Sequence, residues 1–116
     1  MIFFAALARD LALEADRQLG DARADAEARA ATGRKFLEAI WRYYNLIDFV
    51  VTQRDNKSAV AIRLAFDEAE AYVKSAPEAL PRPAANPERV REPLRRIAQI
   101  LSVVIEQSST LTRRES

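Results

Sequence analysis

The stretch from Arg34 to Arg54 constrains the fold more than any other part of the chain, because it carries two neighbouring apolar rows at helical spacing. The first row repeats at alternating intervals of four and three residues and consists of Phe36, Ile40, Tyr43, Ile47 and Val50. The second row lies beside it and consists of Leu37, Trp41, Tyr44 and Val51. A helix with both rows is apolar over more than half of its circumference, which is typical of a helix with neighbours on several sides. We therefore predict a central helix over residues 34–54, capped by Thr32.

The segment before the central helix also has one apolar face, formed by Phe4, Leu7, Leu11, Ala15 and Leu19. Gly20 either ends this helix in a left-handed cap, with a new helix from Asp21, or lies within a helix that continues at a cost of about 1 kcal/mol. Because the residues that follow are rich in alanine, we expect a continuous or kinked helix to about Ala31.

A third helix is predicted after a polar turn that follows the central helix. Residues 59–74 alternate apolar and charged rows at helical spacing, and Asn56 or Ser58 can cap this segment. The next residues cannot continue a helix, because they contain several prolines. We therefore predict an extended crossover over residues 75–86. Its prolines are Pro77, Pro81 and Pro83.

The last helix has the pattern of a cap and a first residue at Asn86 and Pro87. Pro93 then either restarts the helix after a short turn or bends one longer helix. Four apolar stripes joined by short breaks and one crossover predict an all-α fold, a four-helix bundle or a close relative. We expect a single domain over residues 1–107 and a frayed polar tail over residues 108–116.

The composition lacks the residue types on which most catalytic sites are built. It has no histidine and no cysteine, so the commonest general base and the usual thiolate nucleophile are missing. It also has no glycine-rich phosphate loop and no nucleophile elbow. We therefore predict that the protein is not an enzyme, takes no small-molecule substrate, and holds no metal or cofactor.

The sequence also bears on location. No run approaches the roughly 18 apolar residues of a membrane span. The apolar opening MIFFAALA lacks a preceding basic region and is cut short by Arg9 and Asp10, which argues against a signal peptide. The formal charge of +1 is too small to draw the whole chain to an anionic surface. We expect a cytoplasmic protein without a membrane span.

Arginines form one local excess of charge in the last helix and could contact nucleic-acid phosphates. The candidate residues are Arg89, Arg91, Arg95 and Arg96. Glu92 precedes Arg96 by four residues and Glu88 precedes Arg91 by three, so part of this charge can be neutralised within the helix. We favour a self-paired solvated face and keep a nucleic-acid-binding regulator as the alternative.

Aromatic residues are concentrated in the central helix, and they allow two interpretations. In the first, they fill the core of the bundle, with tyrosine hydroxyls at the surface. In the second, Trp41 and Phe49 lie off the main apolar face and form part of an exposed binding patch. The residues predicted to bind a partner are Trp41, Arg42, Tyr44 and Phe49.

Two segments share a layout with a known family. The first contains Ala39-Ile40-Trp41 and the stretch from Phe49 to Thr52, and the second contains Glu92-Pro93-Leu94 with Ile97, Ile100 and Leu101. In this layout residues 36–105 resemble the bacterial FlaF family, small helical regulators of flagellin synthesis and secretion. Tyr43 and Tyr44 depart from the family, which is expected to have basic residues there. The resemblance implies a cytoplasmic partner-binding role in flagellin export, without catalysis.

The sequence therefore predicts a non-enzymatic helical module that works by protein–protein binding, as a small adaptor, an export chaperone or a regulator. Its surplus apolar surface on the central helix would hold an amphipathic partner helix or a second copy of the chain. A structural phage or assembly subunit that oligomerises through the same surface is a further alternative.

Overall fold

The computed structural model describes residues 1–21, 23–73 and 87–115, with residues 110–115 described as backbone only. In these ranges the chain forms five helices and no strand, which confirms the predicted all-α class. The helices are α1 (Ile2–Leu19), α2 (Ala26–Asn45), α3 (Asp48–Arg54), α4 (Asn56–Val73) and α5 (Pro87–Glu115).

The four long helices pack as an antiparallel bundle, and the contacts between their ends fix its topology. The beginning of α1 meets the end of α2, where Phe4 stacks on Tyr43. The end of α1 meets the beginning of α5, where Asp16 accepts hydrogen bonds from two arginines. The guanidinium of Arg34 on α2 donates to the carbonyl of Val73 at the end of α4. The short helix α3 lies outside this bundle and packs mainly on α4.

The central helix differs from its predicted bounds of 34–54 at both ends. It begins earlier, because Asp25 is the cap and its carboxylate accepts the Ala28 N–H at 2.7 Å. Thr32 therefore lies inside α2 and caps nothing. The helix also breaks at Leu46 and Ile47, whose N–H groups bond to the carbonyls three residues back. This tighter turn keeps Ile47 buried in the core before α3 begins.

The junction between α1 and α2 corrects the expectation of a continuous or kinked helix to Ala31. Helix α1 ends at Leu19, and Gly20 has right-handed rather than left-handed backbone angles. A Cβ at Gly20 would lie 2.7 Å from the Arg91 guanidinium, so a larger residue here would displace the end of that flexible side chain. Asp21 starts no helix, and its carboxylate accepts the Arg23 N–H at 3.0 Å.

The face that α1 turns to the core is smaller than predicted. Phe4 and Leu11 lie half-buried beside the core, and Leu7 is also only partly buried. The fully buried row consists of Ala5, Ala8, Ala12, Ala15 and Leu19. Small side chains allow helices to approach closely, and both α2 and α5 pack against α1.

The cap of α4 also corrects a prediction. Asp55, rather than Asn56 or Ser58, caps this helix, and its carboxylate accepts the Ser58 N–H at 3.1 Å and the Ser58 hydroxyl at 2.7 Å. This cap allows the chain to reverse from α3 into α4 across a single residue.

The last helix settles the alternatives left open at Pro93. Helix α5 continues through Pro93, whose ring is buried, and does not restart there. The proposed boundary at residue 107 falls within α5, and Ser108 is buried beside Arg54, whose guanidinium donates to the Ser108 hydroxyl at 3.2 Å. The predicted crossover over residues 75–86, including the Asn86 cap, lies outside the described residues.

A candidate protein-interaction surface

Trp41 lies at the edge between α2 and α4, half inside the bundle. Its ring meets the Phe66 ring edge-on, with centroids 5.1 Å apart, and the Tyr44 ring at 6.0 Å. The other part of the indole faces solvent, and 40% of the residue is exposed. The two aromatic contacts fix the orientation of the exposed part.

Tyr44 does not belong to the surface, contrary to its place in the predicted binding set. It is completely buried because it lies on the core row of α2 between Ile40 and Ile47. Its hydroxyl finds no hydrogen-bond partner among the described residues. Burial raises the pKa of this phenol well above its ordinary value, with a smaller contribution from the nearby Asp48 carboxylate. Tyr44 therefore contributes to the surface only through its buried ring, which packs against the Trp41 ring.

Phe49 is the most exposed large apolar residue of the described chain, at 72%. Leu46 precedes it by three residues and is 61% exposed, and Arg42 precedes Leu46 by four and is also exposed. These residues continue one outward row across the turn between α2 and α3. Sequence reasoning missed Leu46, although its position in the polar stripe beside Phe49 was a usable signal.

Helix α4 carries a second exposed apolar row. Val60 and Leu64 lie on the side of α4 opposite its buried residues, with exposures of 41% and 61%. Leu64 directly follows Arg63, and Phe49 directly follows Asp48. Because Arg63 and Asp48 contact each other, the two apolar rows lie on neighbouring helices of the same hairpin.

Polar contacts fix α3 against α4 between these rows. The guanidinium of Arg63 donates to both oxygens of Asp48, at 3.1 and 3.2 Å, and to the Thr52 hydroxyl at 2.7 Å. The Asp48 carboxylate raises the pKa of Arg63, so this guanidinium stays charged throughout the physiological range. A bidentate pair of this kind fixes orientation as well as distance.

We name the outward surface of the α2–α3–α4 hairpin the hairpin face. It is defined by Trp41, Leu46, Phe49, Val60 and Leu64. From their exposures, these side chains present on the order of 400–500 Å² of apolar surface. The largest apolar patch of a typical monomer is about 300–600 Å² and is often functional. The summed exposed area of these side chains is within that range, spread over three consecutive helices.

Three of the four clustered arginines of α5 make contacts within the bundle. The Nε atoms of Arg91 and Arg95 donate to the two oxygens of Asp16, at 2.8 and 3.0 Å. Arg96 donates to Glu68 on α4 at 3.0 Å and also to Glu92. The predicted pairs of Arg96 with Glu92 and of Arg91 with Glu88 are both present.

Arg89 is the remaining member of the cluster. Its guanidinium carbon lies 5.9 Å from the centre of the Tyr72 ring, a cation–π contact. Sharing Asp16 between two arginines lowers the positive potential that phosphates would meet. Nucleic-acid binding by this cluster stays a prediction. The arginines leave less uncompensated positive charge for phosphates than the sequence suggests.

A polar recess of about 310 Å³ opens where α1 meets α2. Its three arginines all have carboxylate partners: Arg17 pairs with Glu14, Arg23 with Asp21 and Arg29 with Glu88. Among the residues that the structure describes, no three acidic, histidine or cysteine side chains are grouped as metal ligands. In the same ranges, no helix has the length and apolar character needed to cross a bilayer.

Of the predicted binding residues, the structure exposes Trp41, Arg42 and Phe49 and buries Tyr44; it also exposes Leu46 and Leu64, which were not predicted. Comparison of the chain with models of known families, with curated proteins and with solved structures finds no match in any of the three.

Proposed function

We propose that this protein is a non-enzymatic helical interaction module that binds protein through the hairpin face, as a small cytoplasmic adaptor, export chaperone or regulator. The observation that carries the proposal is the exposure of Phe49 and Leu46 on an otherwise polar side of the α2–α3 segment. Exposed aromatic and aliphatic anchors of this kind contribute most of the binding energy at protein interfaces.

Contacts that order the residues of the hairpin face favour a binding role over chance exposure. Trp41 is oriented by Phe66 and Tyr44, and Asp48 is fixed by Arg63. A surface that is already ordered loses little conformational entropy when a partner docks. Arg42, at the edge of the apolar residues, adds a residue type that is enriched at interfaces.

Replacing Phe49 by alanine should weaken partner capture by about 1–3 kcal/mol, because the side chain is an exposed anchor. The unfolding free energy should change little, since 72% of the residue is already in solvent. Trp41→Ala should weaken capture similarly, with an added loss of stability from its contact with Phe66. Capture is measured by pull-down of the tagged protein from its native extract, and folding by circular dichroism.

Leu13→Ala is the matched control for that experiment. Leu13 is also a large exposed apolar residue, at 49%, but it lies on α1 away from the hairpin. Equal capture by the Phe49→Ala and Leu13→Ala variants, both folded, would exclude the hairpin face as the binding surface.

The resemblance to the FlaF family suggests one specific form of this proposal, in which the partner belongs to flagellin synthesis or export. Purified flagellin added to the immobilised protein tests that form alone. Binding that Phe49→Ala weakens would support it, and the absence of any binding would leave the general proposal to the pull-down.

A further inference from the structure

We propose that the polar recess between α1 and α2 binds a phosphate group, either as free phosphate or as part of a small phosphate monoester, through Arg17, Arg23 and Arg29. This site is separate from the hairpin face, since the recess lies where α1 ends and α2 begins. Three features support it: the charges that line the recess, the hydrogen-bond donors that its arginines leave unused, and its size.

The recess is lined by more positive than negative side chains. Three arginines line it, and Asp21 is the one carboxylate among its lining residues. Arg17 pairs with Glu14, which does not line the recess. Arg29 pairs with Glu88 of α5, which also lies outside the lining. An anion in the recess would therefore face the guanidiniums directly, whereas two of the three partner carboxylates do not line the space that it occupies.

The ion pairs of Arg17 and Arg23 are weak enough to yield to a stronger anion. The Arg23 side chain is 91% exposed and the Arg17 side chain 71%, and each pairs with a carboxylate close to it in the chain. Ion pairs in solvent of this kind contribute little to stability. A phosphate carries up to about twice the charge of a carboxylate and accepts charge-assisted hydrogen bonds from several guanidiniums at once. Exchange of these carboxylates for phosphate is therefore favourable.

The three arginines also have N–H donors that the protein does not use. Arg17 and Arg23 each donate through Nε and Nη2, and in both residues Nη1 has no hydrogen-bond partner within the described ranges. Arg29 donates through Nη1 alone, and its Nε is buried with no acceptor in the part of the chain that the structure describes. A phosphate oxygen can therefore accept from these guanidiniums while some of their present contacts are kept.

Arg29 gives the recess a cation of fixed position. Its side chain is only 17% exposed, and its Nη1 bonds to the Leu19 carbonyl on α1 and to Glu88 on α5. A guanidinium that is already ordered loses little conformational entropy when a ligand binds. Thr32 also lines the recess, and its hydroxyl makes no hydrogen bond to any described residue. Threonine hydroxyls are common donors to phosphate oxygens.

The size of the recess leaves room for a small organic group beside the phosphate. Its volume of about 310 Å³ is at the lower end of the range for small-molecule pockets, roughly 300–1,000 Å³. Ala24 and Ala28 add apolar wall next to the arginines, and Gln18 adds an amide. The recess therefore fits a small phosphate monoester as well as free phosphate.

An amide NMR titration of the full-length chain tests this site. Inorganic phosphate and glycerol phosphate are added separately, at an ionic strength held constant with sodium chloride. We expect saturable shifts at the amides of Gln18, Ala24, Ala28 and Thr32 with both probes. Tighter binding of glycerol phosphate identifies a monoester as the ligand, and equal binding identifies free phosphate. Shifts that do not saturate, or that lie outside the recess, overturn the proposal.

Arg17→Gln and Arg23→Gln each remove one guanidinium from the recess. Each should raise the dissociation constant for inorganic phosphate about three- to tenfold, the loss expected for one hydrogen bond to a charged group. Both side chains are largely exposed, so circular dichroism should show an unchanged fold.

Arg9→Gln is the matched control for these variants. Arg9 also lies on α1 and pairs with a neighbouring carboxylate, that of Asp10 at 3.0 Å, but it does not line the recess. Its phosphate affinity should equal that of the natural chain. Equal weakening in Arg9→Gln, Arg17→Gln and Arg23→Gln would mean that net charge alone attracts the anion, and would overturn the site. The proposed function is tested separately, by partner capture in Phe49→Ala.

Discussion

At Tyr44 the core contains a hydroxyl that lies near the Asp48 carboxylate without an ordinary hydrogen bond. The residue is completely buried, and its oxygen has no hydrogen-bond partner among the described residues. Leaving a buried polar group unsatisfied costs about 1–3 kcal/mol relative to a satisfied one. The ring, by contrast, packs on Phe66 and Trp41, so the residue stabilises the core through its apolar part.

Removing that hydroxyl should therefore do no harm. We expect Tyr44→Phe to leave the unfolding free energy unchanged or to raise it by up to about 1 kcal/mol. Tyr44→Ala, which also removes the ring, should lower it by about 3–5 kcal/mol. Denaturant unfolding measures both. A clear loss of stability in Tyr44→Phe would mean that the hydroxyl has a bonding partner in solution.

The stability that the α4 cap contributes depends on pH through the Asp55 carboxylate. The hydrogen bond from the Ser58 hydroxyl, with a further one from its backbone N–H, lowers the pKa of this carboxyl below its ordinary value of 3.8. A lowered folded-state pKa contributes stability that is present above the ordinary value and is lost as pH falls through the folded value.

We therefore expect the unfolding free energy of Asp55→Asn to depend less on pH in the acid range. Asparagine keeps the acceptor oxygen but cannot titrate. Unfolding free energies measured between about pH 5 and pH 2.5 should fall less steeply for the variant than for the natural chain. Glu14 and Asp21 also have lowered pKa values, so part of the acid dependence should remain in both proteins. Identical slopes would contradict the capping role.

At the scale of the helices, Asp16 joins α1 to α5. One carboxylate that is 16% exposed accepts hydrogen bonds from both Arg91 and Arg95. Because these arginines belong to consecutive turns of α5, the contact fixes the register of the two helices as well as their distance. The alanine row of α1 allows the backbones to come close enough for it.

We expect Asp16→Asn to lower the unfolding free energy by about 1 kcal/mol, the scale of a partly screened ion pair. The difference from the natural chain should shrink in about 1 M salt, where the Debye length falls to about 3 Å. The variant should also bind nucleic acid more tightly at low salt if the arginines reach phosphates once released. Salt-independent stability loss would show that Asp16 acts by packing alone.

The helices were predictable from sequence to different degrees. Apolar periodicity located the last two helices and the core of the central one, because Ile40, Ile62 and Leu94 belong to clear rows. On α1 it identified Ala15 and Leu19 but not the rest of the core row, which is alanine and carries a weak hydrophobic signal beside Phe4. The break at Leu46 was also hidden, since neither Leu46 nor Ile47 is a helix breaker.

The binding residues were predictable only in part, for a related reason. Phe49 stood out because it interrupts a polar stripe, and the structure leaves it exposed. Tyr44 was misplaced because an aromatic beside Trp41 fits a patch and a core equally well until the neighbouring helices are known. Leu64 depends on how α3 packs on α4, which Arg63 fixes through contacts 11 and 15 residues away in sequence.

At the scale of the whole molecule, charge and apolar surface occupy different places. Arg91, Arg95 and Arg96 of α5 make contacts that hold the bundle together. The hairpin of α2, α3 and α4 instead presents apolar residues outward, although the bundle core is already filled by other rows. Burial of this surface within the chain would have been the simpler outcome, so its exposure is the basis of the interaction hypothesis.

Photo-cross-linking in the native cell tests that hypothesis most directly. A benzophenone-bearing residue is placed at position 49, at position 64, or at position 13 as the control. We predict discrete protein adducts from positions 49 and 64 and none from position 13, with adduct mass identifying either a second copy or another protein. Adducts that are missing at 49 and 64, or equally abundant at 13, would contradict the assignment of the hairpin face as a binding surface.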